Sequence, residues 1–312
     1  MKPKILFLDE PVAFIKSQFL ELCIETTHLL EADVVYTHMS PLYKKAPNLK
    51  VIVCPCTGIK HLESVDIPII YLDDKEYLYK FVHSTAEYTI FSMLKMLREN
   101  GDELYNMNVG LIGGGGRLGR QVCDKLYGLT RTHPLVYDNG STSVVNAIEV
   151  SSLEELYRQS DIISIHINET PWNQNFIDMV SLERMVDYGV KYLINSSRSS
   201  VLSADGLLCY ANKFKGITLD VVEDYEDRQF TNLYGQKNIT ITNHKAGSMK
   251  PSRIQTDTYV LNKFKKWVDD NWHPETITVL FNGVEYGELE KEDVENVLKL
   301  LKNKVDERNN RL

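Results

Sequence analysis

The sequence predicts an α/β protein built on two doubly wound parallel sheets. Three observations point there. Short apolar runs rich in Val and Ile alternate with helical patterns through most of the 312 residues. A glycine-rich turn joins one such run to a helix, and polar residues gather at the ends of the strands that follow.

Taken in order, residues 4–8 read as a buried strand and 12–23 as an amphipathic helix. Strands follow at 32–36, 49–54 and 67–72, so the region to about residue 83 is a small α/β unit with right-handed crossovers. Ser84 with Glu87 three residues on has the form of a capping box. Ile90, Phe91, Leu94 and Leu97 then keep helical spacing until Gly101, a natural C-cap. This long helix is expected to cross between domains. Next comes Asn-Val-Gly-Leu-Ile-Gly-Gly-Gly-Gly-Arg-Leu-Gly-Arg at 108–120. Read as G-x-G-x-x-G, the glycines are Gly114, Gly116 and Gly119, with Arg117 and Leu118 opening the helix. The first glycine makes the tight turn, the second admits a pyrophosphate, and the third lets helix pack on strand. Helix N-terminal amides then face the phosphates. Asp138 ends the next strand, where an acid can hold both ribose hydroxyls and repel a 2′-phosphate. The expected cofactor is therefore NAD rather than NADP.

The alternation resumes with Ser152 capping a helix through Glu155, strands at 161–167 and 191–195, a helix from Ser203, and strands at 216–221 and 238–242. Polar residues collect at these strand ends: Asp138, His166, Asn195 to Arg198, Asp220 and His244. Elements alone predict no such bias, whereas a binding crevice does. A helix over about 251–269 is expected to return the chain to the first domain. The charged tail carries Val294, Val297, Leu298, Leu301 and Val305 as a stripe more often found in a core than at an interface.

A net charge of −8 argues against nucleic acid or an acidic membrane as partner. The N-terminal apolar run is too short for a signal peptide, and no apolar run is long enough to span a bilayer. Five cysteines without a C-x-x-C pair or a Cys/His cluster suggest reduced thiols, no metal and a cytoplasmic protein.

The stretches Asn195-Ser196-Ser197-Arg198, Leu219-Asp220-Val221 and Thr242-Asn243-His244-Lys245-Ala246-Gly247-Ser248 resemble the three C-terminal signatures of the D-isomer-specific 2-hydroxyacid dehydrogenases. Cys56-Thr57-Gly58-Ile59-Lys60-His61 is similar to that family's substrate-binding loop, Ala86-Glu87 to its linker helix, and His166 with Thr170 to its adenine-side strand. The resemblance implies a Rossmann NAD-binding domain over 85–248. It implies a flavodoxin-like substrate domain over 1–84 and 249–285, with 286–312 as a helical tail. It further implies hydride transfer between nicotinamide and a small D-2-hydroxy or 2-keto acid. His244 would exchange the proton, a task suited to a side chain that titrates near neutrality. Arg198 would grip the substrate carboxylate with its guanidinium fork, and a glutamate would partner the histidine. Thr57, Gly58, Ile59 and Lys60 would contact the substrate, Gly58 and Ile59 through backbone amides. Ser196, Ser197, Asp220 and Gly247 would lie along the coenzyme, and His166 would pack near the adenine rather than move protons.

The chain departs from the family pattern in places. One extra residue in the glycine loop leaves Gly113-x-Gly115 open as a register. Tyr225 stands where the glutamate is expected, with Glu226 preferred and Glu223 as the rival. The segment between Arg98 and Asn108, which helps relatives form homodimers, is short. The alternative reading is an NAD(H)-binding regulatory or co-repressor-like protein with little catalysis. A third is a different reaction on the same scaffold, such as reduction of a phosphonate- or sugar-derived keto acid, which Lys60 would favour.

Overall fold

The computed structural model describes residues 2–290 apart from 63, 131, 141–142, 221–230, 273–275 and 282–283. The chain divides into two compact units, Met1–Asp73 with Ile254–Leu312, and Asp74–Arg253.

The first unit opens with β1 (Lys4–Phe7), α1 (Ala13–Leu22), β2 (Ile24–Glu25), β3 (Val34–Tyr36), β4 (Val51–Val53) and β5 (Ile69–Ile70). All strands are parallel, in the order β2-β1-β3-β4-β5, which is the doubly wound order of flavodoxin-like sheets. Every residue of β3 and β4 is fully buried, as a parallel strand covered on both faces requires.

The second unit begins one helix earlier than the linker helix, at α2 (Lys75–Phe81), followed by α3 (Ser84–Glu99). Side chains explain why α2 belongs here. Gln121 Nε2 donates to the carbonyls of Tyr79 (2.7 Å) and Val82 (3.0 Å), and the Tyr79 hydroxyl donates to Asp124 at 2.6 Å. Ser84 is the first helical residue rather than the cap. His83 holds the N-cap position without capping the helix through its side chain, and the Ser84 amide donates to Ser252 Oγ.

Then come β6 (Val109–Ile112), α4 (Arg117–Thr130), β7 (Leu135–Tyr137), β8 (Ile148–Glu149), α5 (Leu153–Gln159), β9 (Ile162–Ile165), α6 (Met179–Asp187), β10 (Tyr192–Asn195), α7 (Ala204–Tyr210), β11 (Gly216–Leu219) and β12 (Ile239–Ile241). Seven parallel strands lie in the order β12-β11-β10-β9-β6-β7-β8. Counted within the unit, that is the Rossmann order 3-2-1-4-5-6 with one more strand at the far edge. The order reverses between β6 and β9, so the switch point lies at their carboxyl ends. The expected cap of α5 forms, Ser152 Oγ accepting from the Glu155 amide (3.1 Å). Ser203, expected as the start of a helix, caps α7 by accepting from the Gly206 amide (3.1 Å).

α8 (Lys250–Asn271) starts in the second unit and belongs to the first from Ile254 onward. Within the first unit its Phe264 ring lies 5.5 Å from Phe19, which in turn meets Tyr36. Buried Asp257 accepts from the Tyr36 hydroxyl (2.8 Å) and the Val12 amide (2.9 Å), so this carboxylate is satisfied as burial demands.

The expected helical tail is corrected over its first residues. β13 (Thr276–Phe281) and β14 (Val284–Glu290) pair as an antiparallel hairpin. Two alternating runs separated in sequence by Asn-Gly favour a hairpin, and that local signal outweighs the helical stripe. The stripe itself, over 291–312, lies outside the described residues. All five cysteines are free thiols, Cys23, Cys54 and Cys123 buried, Cys56 half-buried and Cys209 exposed.

Candidate active site

The glycine turn after β6 divides its tasks among neighbours. Gly113 takes the left-handed backbone (φ 81°) that an L-residue resists. Gly119 faces it from α4, where a Cβ would come within 2.4 Å of the Gly113 carbonyl oxygen. Gly114 lies against Val136 of β7, and Gly116 is exposed. The left-handed turn thus falls at Gly113, and the tight packing at Gly114 and Gly119. Asp138, at the end of β7, accepts from the Gly115 amide at 2.9 Å and the Gly140 amide at 3.1 Å. Arg117 opens α4 and donates toward the Val82 carbonyl and Gln121, while Leu118 beside it is half-buried.

His166 ends β9 on the other side of the switch point. It is buried, and neither ring nitrogen has a partner among the described residues. Burial holds its pKa down to about 3, and the Arg117 guanidinium adds to the effect. An imidazole so placed stays neutral and cannot act as an acid at ordinary pH. Thr170 lies in the exposed loop beyond, its amide bonded to Asn173 at 2.7 Å.

After β10, buried Asn195 organises the next turn. Its side chain accepts from the Ser197 amide (3.0 Å) and hydroxyl (2.7 Å) and donates to the Arg198 carbonyl at 2.8 Å. Arg198 is half-buried, with one guanidinium nitrogen donating to the Ser197 carbonyl. Ser196 meets Thr89 of α3 at 3.0 Å, so both serines use their hydroxyls within the protein.

Asp220 ends β11 and is 1% exposed. Its carboxylate accepts from Thr242 Oγ1 (2.6 Å), the Lys245 amide (2.9 Å) and the Ala246 amide (3.1 Å), and its carbonyl accepts from the His244 amide. The turn it fastens is unusual, because Asn243 (φ 53°) and His244 (φ 59°) are both left-handed without being glycine. His244 itself is exposed. Desolvation by surrounding protein lowers its pKa below the ordinary histidine value, Arg198 lowers it further, and Asp220 opposes both. The second unit thus couples Arg198, Asp220 and His244 electrostatically. Gly247, also exposed, lies beside Thr85.

Sequence reading assigned no role to Asn195, Tyr88, Thr89 or Thr242, although Asn195 and Thr242 stand inside the motifs it quoted. In the first unit, exposed Thr57 and half-buried Gly58 and Ile59 follow β4, and exposed Lys60 opens a short 3-10 turn. Glu226, its rival Glu223 and Tyr225 lie outside the described residues.

The donor set fits a dinucleotide. A glycine cradle that a Cβ would fill stands beside a buried histidine with two orphaned nitrogens, and an acid ends the neighbouring strand. Among the described residues no group of His, Cys, Asp and Glu could hold a metal ion, and no helix is long and apolar enough to cross a membrane.

Residues 79–246, more than half the chain, match the family described as D-isomer specific 2-hydroxyacid dehydrogenase, NAD binding domain. A D-lactate dehydrogenase from Lactiplantibacillus plantarum is 29% identical over 46% of this chain and 47% of its own length. The chain thus matches about half the length of that relative. A hydroxypyruvate reductase from Blautia hydrogenotrophica is 24% identical over 84% of this chain and 90% of its own. Among solved structures, D-lactate dehydrogenase from Aquifex aeolicus, complexed with NAD and lactic acid, superposes with a TM-score of 0.68 at 22% identity. That match covers 86% of this chain and 96% of that one, and at such identity it speaks to the fold.

Proposed function

Because the chain belongs to the D-isomer specific 2-hydroxyacid dehydrogenase family, we propose that it interconverts a small D-2-hydroxy acid and its 2-keto acid with NAD as coenzyme. The observation that carries this reading is the coupled trio Arg198, Asp220 and His244 on successive strand-end turns of the sheet that bears the glycine cradle. When bound, the nicotinamide supplies or accepts the hydride at the substrate's C2. His244 gives a proton to the C2 oxygen in reduction and takes it back in oxidation. Arg198 holds the substrate carboxylate and polarises the keto oxygen. Amides of Gly58 and Ile59, with Thr57 and Lys60 beside them, are proposed to add substrate contacts. Glu226 is the proposed partner of His244. Gly114, Gly116, Arg117, Leu118, Gly119, Asp138, His166, Thr170, Ser196, Ser197, Asp220 and Gly247 are the proposed coenzyme contacts. A cytoplasmic location and a homodimer belong to the same reading, the latter open to sedimentation analysis.

The test is direct. Purified protein, NADH and a panel of keto acids including pyruvate, glyoxylate and hydroxypyruvate are followed by NADH absorbance, with calorimetry for binding. Turnover of one of them is expected. Coenzyme binding without any turnover would favour the regulatory alternative, and no affinity for either NAD or NADH would overturn the proposal. Asp138→Ala is expected to narrow the preference for NAD over NADP.

A further inference from the structure

Helix α3 carries Tyr88 and Thr89 side by side, and each reaches one of the turns just described. Thr89 Oγ1 gives its hydrogen to the Thr85 carbonyl at 2.9 Å. The Ser196 hydroxyl must therefore donate to Thr89 across their 3.0 Å contact. The same reasoning fixes the other branch. Thr242 Oγ1 lies 2.6 Å from Asp220 Oδ1, and an ionised carboxylate only accepts. The Tyr88 hydroxyl, 2.6 Å from Thr242 Oγ1, must then be the donor. Hydrogen bonds run one way from Tyr88 through Thr242 to Asp220, an arrangement in which each bond polarises the next.

What the relay ends on matters. Asp220 gathers the amides of Lys245 and Ala246, the two residues that follow His244. Two consecutive left-handed residues precede those amides, and such backbone persists only where the surroundings over-determine it. A Thr242 rotated away from Asp220 would leave the carboxylate with only the Lys245 and Ala246 amides to hold it on the turn.

We infer that Tyr88 is a positioning residue for the reaction: through Thr242 and Asp220 its hydroxyl holds the left-handed turn that presents His244. The inference rests on the reading of His244 as the acid-base group. It gives α3 a part in both turns, since Tyr88 braces the histidine turn as Thr89 braces the arginine turn.

Tyr88→Phe keeps the ring and removes only the hydroxyl, and Thr242→Val breaks the relay at its middle. For both, kcat for keto acid reduction is expected to fall roughly three- to thirtyfold, below the ~10²-fold that a full 1 Å misplacement costs. KM should stay near wild type, and NADH affinity, which Asp220 also serves as a proposed coenzyme contact, should fall less than kcat. Thr242→Ser keeps the hydroxyl and should recover most of kcat. In parallel, ¹H–¹⁵N spectra of the histidine rings, with His244→Gln for assignment, should show the His244 signals displaced in Tyr88→Phe and those of His166 unmoved. Wild-type kcat and unmoved His244 signals in both variants would overturn the inference. So would a Thr242→Ser variant as impaired as Thr242→Val, or a fall in NADH affinity and melting temperature that matches the fall in kcat. A wild-type protein that reduces no keto acid would defeat the function reading instead, and the ring signals alone would then decide the role of Tyr88.

Discussion

Two histidines stand at strand ends of one sheet, and they live in opposite surroundings. His166 is shut in beside the switch point with no partner for either nitrogen among the described residues. His244 is exposed on a left-handed turn at the sheet's edge, under the opposed influence of Arg198 and Asp220. Position at a strand end alone is therefore not enough to choose between them. The proposed assignment of His244 to proton exchange and of His166 to coenzyme binding rests on access and on the opposed charges around His244.

The sharpest way to break this contrast is to remove each imidazole in turn. His244→Ala is expected to cost 10²- to 10⁴-fold in keto acid reduction, the usual range for a lost general acid, while NADH titrations stay near wild type. His166→Gln should do the reverse, weakening NADH more than turnover at saturating coenzyme. If the two variants swap these signatures in steady-state kinetics and fluorescence titration, the assignment is wrong.

The cradle next to His166 comes second in size. Gly119→Ala would push a Cβ to within 2.4 Å of the Gly113 oxygen. Overpacking of this kind typically costs about 1–3 kcal/mol. Both chemical denaturation and calorimetric NADH binding should register it, and an unchanged binding isotherm would remove the cradle from the coenzyme site.

Acid stability sharpens the comparison further. Folded His166 titrates near 3, against an ordinary 6.5. Between those values the unfolded chain binds a proton that the native state refuses. Stability is therefore full above about pH 6.5 and declines as pH drops toward 3, by up to about 1.4 kcal/mol per pH unit from this residue. His166→Phe should flatten that decline in denaturant titrations at several pH values, and an equally steep decline would show that the ring protonates freely in the fold.

The smallest expected effect concerns His244. On the proposed mechanism reduction needs its protonated form, so with the pKa lowered, kcat/KM for reduction should fall as pH rises through a value below the ordinary histidine range. Arg198→Gln should raise that pKa in an NMR titration, since a cationic neighbour is lost. A drop would reverse the electrostatic account.

Much of this could be read from the chain alone, for identifiable reasons. Parallel strands such as β3, β4, β6 and β10 are buried on both faces and announce themselves as continuous Val, Ile and Leu. The glycine turn is local, and the motifs holding Arg198, Asp220 and His244 each lie within a few residues. Elements with little burial to mark them escaped: β2 and β8 are two exposed residues each. The hairpin β13–β14 has a local signal, Asn282-Gly283 between two alternating runs, yet the expected helical tail rests on the stripe beyond it instead. Tyr88 and Thr242 were invisible for another reason. They are 154 positions apart, and nothing in either neighbourhood forecasts that their hydroxyls meet.

The strand order carries a consequence for how such a molecule fails. β12 is the outermost strand, with a single neighbour, and the His244 turn hangs from its end, whereas β6 and the glycine cradle sit well inside. Peripheral strands open at lower free energy than central ones. On warming, the proposed proton donor should come adrift while the dinucleotide pocket still stands, so that a heated preparation would pass through a stage in which it is loaded but silent.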